Sequence, residues 1–186
     1  MIENLLRSLA RSLDQEKISY MVIGGQAVLL YGSPRLTRDI DITLGIDTDR
    51  FSSVEKICKK LRLKMLPRNP QRFASETKVL PTEDRRIKIR VDFIFSFTPY
   101  ERQAMARTRK VRLEGYPVKF ASPEDVLIHK IFAGRPVDED DVRGILFRHR
   151  TRIETRYIRK WLREFEKSSG RKLLRDFNRL LRQVKR

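Results

Sequence analysis

The chain has 186 residues, 40% of them hydrophobic, which suits one domain with a real core or a core carrying a helical appendage. No apolar run reaches the length of a membrane span, and the first residues lack the regions of a signal peptide, so a cytoplasmic protein is expected. Lys and Arg number 42 against 24 Asp and Glu, a net charge of +18, and the single cysteine, Cys58, excludes both an intrachain disulfide and a thiolate zinc cluster.

Ile2, Leu5, Leu6, Leu9 and Leu13 recur at helical spacing, so the chain opens on an amphipathic helix. Ile18 to Ile23 is a β-rich apolar run ending at Gly24-Gly25, and Gln26 to Tyr31 reads as a short helix. Asp39 to Leu44 alternates polar and apolar residues, as a strand does. Phe51 to Leu63 returns to helical spacing, and Pro67 to Pro81 reads as a loop followed by a strand.

Arg86 to Phe95 is the clearest strand: Ile87, Ile89, Val91, Phe93 and Phe95 share one face, and Lys88, Arg90 and Asp92 the other. Glu101 to Ala106 is a short helix, and Val111–Leu113 and Val118–Phe120 form a hairpin around residues 114–117. Ser122-Pro123-Glu124-Asp125 starts a helix that runs to about Phe132: Ser caps, Pro occupies the first turn, and the acids favour the positive end. A second helix is expected from Asp138 to Phe147. Two more follow, one striped by Ile153, Tyr157, Trp161 and Phe165, the other by Leu173, Leu174, Phe177, Leu180, Leu181 and Val184. The expected organisation is an α/β (α+β) core over residues 1–121, a mixed sheet flanked by helices, then a basic helical region over 122–186.

The charge is concentrated at the end: residues 143–186 hold 16 basic and 4 acidic side chains. Such a region attracts phosphate through counterion release; the alternative is a solvated, Arg-rich surface.

Chemistry gathers at three places. Asp39 and Asp41 lie two apart on a strand and project to one face, while Ile40 and Ile42 project to the other. Asp92 stands on the polar face of the Arg86–Phe95 strand. Three hard carboxylates brought together would suit Mg²⁺ or Mn²⁺, with Asp92 able to act as base on an acceptor hydroxyl. Gly24-Gly25, between a strand and a helix, lets backbone approach a phosphate, and Arg35 and Arg38 would neutralise a triphosphate or else pair with the nearby aspartates. Lys130 stands among apolar neighbours, so it either snorkels to solvent or points into a polar cleft. Arg135, Asp138 and Asp141 read first as a helix-start cap with its salt bridge. His129 and His149 lack metal spacing, and Cys58, Tyr157 and Trp161 read as core.

Gly24-Gly25-Gln26-Ala27 followed by Arg35-Leu36-Thr37-Arg38-Asp39-Ile40-Asp41 resembles the first motif of the DNA polymerase β-like nucleotidyltransferase superfamily. The third-acid strand has its counterpart in Ile89 to Ile94. Ser122-Pro123-Glu124-Asp125 with Lys130, then Gly134-Arg135-Pro136 with Asp138 and Asp141, is similar to a later block of the AbiEii/MenT-like toxin nucleotidyltransferases. The likeness covers roughly residues 18 to 147, and the two basic C-terminal helices depart from the larger helical domain of full-length toxins of that group.

This resemblance implies metal binding at Asp39 and Asp41, a third carboxylate at Asp92, and nucleotide contact at Gly24, Gly25 and Lys130. The candidate catalytic set is then Asp39, Asp41, Asp92 and Lys130, the candidate metal set Asp39, Asp41 and Asp92, and Arg35, Thr37 and Arg38 join the candidate nucleotide contacts. It implies transfer of a nucleoside monophosphate from a nucleoside triphosphate, ATP among them, to an RNA acceptor such as tRNA, and an antitoxin partner. Transfer to a small molecule or protein, and a nucleotide- or RNA-binding module without catalysis, are the alternatives.

Overall fold

The computed structural model describes residues 1–149 and 151–185. The chain divides into two compact units, one of residues 1–26 and 37–121, the other of residues 27–36 and 122–186.

Among the described residues, the first unit is built on one seven-stranded mixed sheet, in the order β3-β4-β5-β2-β1-β7-β6. The strands are β1 (Tyr20–Ile23), β2 (Asp39–Leu44), β3 (Leu63–Met65), β4 (Val79–Asp84), β5 (Ile89–Phe95), β6 (Arg109–Leu113) and β7 (Tyr116–Phe120). The central strand β2 runs antiparallel to β1 and parallel to β5. Helices α1 (Ile2–Gln15), α3 (Phe51–Leu61), α4 (Pro70–Thr77) and α5 (Pro99–Ala106) complete this unit. Helix α2 (Gly24–Tyr31) starts in it, and its residues from Ala27 onward belong to the second.

The sheet is apolar on one face. Ile40 and Ile42 of β2, and Val91, Phe93 and Phe95 of β5, are buried. Helix α3 covers that side, its Phe51 ring stacked 6.4 Å from Phe95. Leu5, Leu6, Leu9 and Leu13 of α1 are buried as their spacing predicts. Alternation on β2 and β5 therefore turns their polar residues to the opposite face.

Three local expectations need correction. β5 begins at Ile89 rather than Arg86; residues 85–88 form a turn, which leaves Ile87 half-buried. Asp84 fixes that turn, its carboxylate accepting from the Arg86 backbone N–H (2.9 Å) and its carbonyl from Lys88 N–H (2.8 Å). The stretch 67–81 holds helix α4, capped by Asn69, whose side chain accepts from Arg72 N–H at 3.2 Å, with Pro70 in the first turn. The helix between Phe51 and Leu63 stops at Leu61, and Leu63 opens the short edge strand β3.

The β6–β7 hairpin has a two-residue loop, Glu114-Gly115, both at positive φ, the turn that suits strand twist.

The second unit consists of residues 27–36 with helices α6 (Pro123–Ala133), α7 (Pro136–His149), α8 (Thr155–Ser169) and α9 (Leu173–Lys185). Its core includes Leu127, Ile131, Ile145, Leu146, Tyr157, Leu162, Phe177 and Leu180. Ser122 caps α6 as expected, its Oγ accepting from Asp125 N–H (3.2 Å) and donating to Asp125 Oδ2 (2.6 Å). Tyr157 donates to Asp125 Oδ1 at 2.8 Å, tying α8 to the start of α6. No helix among the described residues is long and apolar enough to cross a membrane.

Candidate active site

Asp39 and Asp41 stand on β2 and Asp92 on the neighbouring β5, all on the polar face of the sheet. The parallel register sets Asp41 directly beside Asp92, and Asp39 beside Arg90. Adjacent strands lie about 4.8 Å apart, so register partners are the closest neighbours a sheet provides. Asp39 is exposed, and Asp41 and Asp92 are half-buried.

Arg90 organises this face. Its Nε donates to Asp92 Oδ1 at 2.7 Å. The bond to Asp92, followed by the charges of Asp92, Asp39 and Asp41, raises the Arg90 pKa above its ordinary value and outweighs the effect of burial. Arg90 thus keeps three neighbouring negative charges tolerable on one small surface.

The two glycines have a specific local role. Gly24 sits at φ +62°, and a Cβ there would lie 1.9 Å from Asp41 Oδ2. A Cβ on Gly25 would lie 2.3 Å from Thr37 Oγ1. The space that the sequence suggested for a phosphate is thus partly taken by the side chains of Asp41 and Thr37. Gln26 Nε2 donates to the Asp39 carbonyl at 3.3 Å, a further tie between α2's first turn and β2. The register pair Ile23–Asp41 brings the end of β1 beside the carboxylate strand, which explains why a glycine must follow Ile23.

The donor set fits a hard divalent cation by chemistry and by register: carboxylates on adjacent strands, facing one way. The side chains as placed do not gather, and among the described residues no group of three or more His, Cys, Asp or Glu is arranged to hold a metal ion. Asp92 accepts a hydrogen bond from Arg90, and the Asp41 carboxylate lies beside the Gly24 backbone.

A separate cluster lies within the second unit. Lys130 is buried, with its Nζ 2.8 Å from Asp138 Oδ1 and 2.9 Å from Asp141 Oδ2. Arg35 makes a bidentate bond to Asp141, at 2.9 and 3.1 Å, which fastens the 27–36 segment to α7. The bond to Asp141 raises the Arg35 pKa. Arg135 bonds Asp138 at 2.8 and 3.1 Å. Burial pushes the Asp138 carboxyl up, but the bonds from Arg135 and Lys130 outweigh it and hold the group below the usual carboxylate range. The cap-and-bridge reading of Asp138 and Asp141 matches this geometry. Lys130 does not snorkel to solvent; it points to Asp138 and Asp141 and borders a small cavity of about 80 Å³ lined also by Glu139, Arg171 and Asp176.

The structure therefore brings Gly24, Gly25, Thr37, Asp39, Asp41 and Asp92 together in the first unit, and Arg35 and Lys130 together, on Asp141, in the second. Arg38 is exposed. Sequence reasoning missed Arg90 and Gln26. The signal for Arg90 was its position two residues before Asp92 on the same strand face.

The family model described as "Nucleotidyltransferase of unknown function (DUF6036)" matches residues 1–184. No curated protein sequence matches the chain. An antigenic nucleotidyltransferase-like protein from Paracoccidioides brasiliensis superposes with a TM-score of 0.57 at 16% identity, covering 97% of this chain and 91% of that one. The antibiotic-resistance factor ANT(2'')-Ia superposes with a TM-score of 0.60 at 15% identity, covering 89% of this chain and 93% of that one. The same factor in complex with adenylyl-2''-tobramycin gives 0.60 at 16% identity, over 91% and 98%. At these identities the structural likenesses bear on the fold alone. The family match covers nearly the whole chain and agrees with the mixed sheet and its carboxylate strands, and the chain belongs to this nucleotidyltransferase family, an enzyme family.

Proposed function

We propose that the chain transfers a nucleoside monophosphate from a nucleoside triphosphate to a hydroxyl of RNA, with tRNA-like molecules as the leading acceptor class. The observation that carries this reading is the in-register placement of Asp41 and Asp92 on adjacent parallel strands, with Asp39 on the same face.

In this mechanism Asp39, Asp41 and Asp92 would hold Mg²⁺ or Mn²⁺. When bound, the cation supplies charge neutralisation at the triphosphate and polarises the reacting phosphoryl oxygens. The protein's own share is positioning. Gly24 and Gly25 keep the backbone close to β2, Thr37 stands against Gly25, and Arg38 offers its charge to the phosphates. The acceptor oxygen attacks the α-phosphorus, a new P–O bond forms, and the bond to pyrophosphate breaks. Asp92 takes the hydroxyl proton, which requires that it leave Arg90. Arg90 then stands beside the developing negative charge and compensates it.

Lys130 and Arg35 serve this reading by shape. Their bonds to Asp138 and Asp141 fix α6, α7 and the 27–36 segment as one body. Support for RNA comes from charge. Arg152, Arg156, Arg163, Lys167, Arg171, Lys172, Arg175 and Arg182 are exposed in the second unit, whereas Arg150 and Arg186, counted in the basic C-terminal region, lie outside the described residues. The motif resemblance to the AbiEii/MenT-like group supports a toxin role and a cognate antitoxin as partner.

The test incubates the protein with α-labelled nucleoside triphosphates, total RNA and Mg²⁺. Wild type should label RNA, and an Asp39→Ala/Asp41→Ala variant should not. Equal labelling by both would remove the proposal.

A further inference from the structure

The polar face of the sheet does not end at Asp92. Pro81 of β4 is the register partner of Asp92, and the Leu66 backbone N–H donates to the Pro81 carbonyl at 3.0 Å. Register partners share a face, so Asp41, Asp92 and Pro81 form one row across three strands, and Leu66, the residue after β3, is hydrogen-bonded to its outer end. There the row opens into a groove of about 520 Å³ between the sheet and α4, whose walls include Leu66, Phe73, Arg68, Arg72, Pro81 and Arg90.

This groove has two qualities at once. Leu66 and Phe73 are 41% and 38% exposed, large apolar side chains left facing water. The charged side chains lining it are Arg68, Arg72 and Arg90 with one acid, Glu76, which pairs with Arg72 at 2.8 Å. An exposed aromatic among guanidinium groups stacks a nucleobase and neutralises its phosphate. A cationic small molecule meets like charge here, and an uncharged one leaves the arginines without use. Arg90 belongs both to the groove and to the Asp92 ion pair, so a phosphate drawing on Arg90 would loosen its hold on the carboxylate.

We propose that this groove holds the 3′-terminal nucleotide of a single-stranded polynucleotide, its base against Phe73 and its 5′-phosphate at Arg68 and Arg90, with its terminal hydroxyl directed along the row toward Asp92. The proposal rests on the nucleotidyl-transfer reading and names the part of the acceptor that the site recognises.

The experiment uses the full chain and needs no turnover. A 12-nucleotide single-stranded RNA, and a DNA of the same sequence, each with a photoreactive thio-substituted base at the 3′ end and a fluorescent 5′ label, are bound and cross-linked. Cross-links from the terminal base should map to the peptide spanning 66–73, with RNA, DNA or both. Phe73→Ala and Arg68→Glu, both exposed positions, should each weaken binding about tenfold, the order of one stacked base or one phosphate contact. Cross-links confined to α8 or α9, unchanged binding in both variants, or no binding of either oligonucleotide would overturn the groove.

The two readings fail separately. If wild type transfers nucleotides but Phe73→Ala and Arg68→Glu leave the KM for RNA unchanged, the groove falls and transfer stands. If the cross-links map as expected but no nucleotide is ever transferred, transfer falls and the groove stands.

Discussion

Asp41 and Asp92 are register partners on two parallel strands, Asp41 with its carboxylate beside Gly24 and Asp92 hydrogen-bonded by Arg90. The backbone sets the two carboxylates side by side, and Gly24 and Arg90 are their immediate neighbours. Activity on this account depends on the backbone pairing and on the ease with which those neighbours release the side chains.

The Asp92–Arg90 pair is partly exposed, so its contribution to stability should be small, about 0–1 kcal/mol. Asp92→Asn should therefore leave the urea midpoint nearly unchanged while lowering transfer on the order of 10²-fold or more. Paired denaturation and rate measurements check this. A large loss of stability would make Asp92 a structural residue.

Gly24 carries two constraints, a left-handed backbone and the Asp41 carboxylate packed against its Cα. Gly24→Ala should cost about 1–2 kcal/mol from φ alone. It should also displace Asp41, so transfer should fall much further than stability does. A variant with normal turnover would show that the Asp41 position at Gly24 is irrelevant to the reaction.

The Lys130 cluster makes a pH prediction. The Asp138 carboxyl has a folded-state pKa below its unfolded value of about 3.9, so the unfolded chain binds the extra proton in that window. Its stabilisation is complete above about pH 5 and is lost as pH falls through the folded pKa. Asp138→Asn should flatten the acid limb of the stability curve. At neutral pH it should cost on the order of 1.5–3 kcal/mol, because Lys130 loses one charged partner in a buried site and keeps Asp141. Urea titrations from pH 2.5 to 7 measure both effects. An unchanged acid limb would contradict the ion-cluster account.

Cys58 is fully buried on α3, and burial pushes its thiol up to about 12. It should react with a thiol reagent at pH 8 only through opening of the first unit, far more slowly than in urea. Rapid labelling of the native protein would contradict its place in the core.

What sequence could reveal follows from how local each signal is. Asp39 to Leu44 alternates strictly, so its face assignment needed nothing from the rest of the chain, and burial agrees from Asp39 to Ile42; Thr43, on the polar face, is buried by the fold around it. Which strand stands beside it was a matter of pairing across the fold, and the Asp41–Asp92 register shows only in three dimensions. Helix α4 buries a single residue, Ala74, so it has no apolar stripe to detect; its Asn69-Pro70 start was the one legible mark. The same weakness hid the groove, since Leu66, Arg68 and Phe73 meet Pro81 and Arg90 only after β3, α4 and β4 fold together. Lys130 was ambiguous because its partners, Asp138 and Asp141, come from another helix. Sequence offered these two acids without saying whether they cap a helix or pair with a lysine.

The central claim is that Asp41 and Asp92 act as a unit in metal-dependent nucleotidyl transfer. The most direct measurement is the transfer of label from α-labelled nucleoside triphosphate, with Mg²⁺ and with chelator, by wild type, Asp41→Asn, Asp92→Asn and the double variant. The account predicts transfer by wild type that the chelator abolishes, a loss on the order of 10²-fold or more in each single variant, and little further loss in the double, as for groups that act together. Transfer insensitive to chelator, or a double variant as active as wild type, would contradict it.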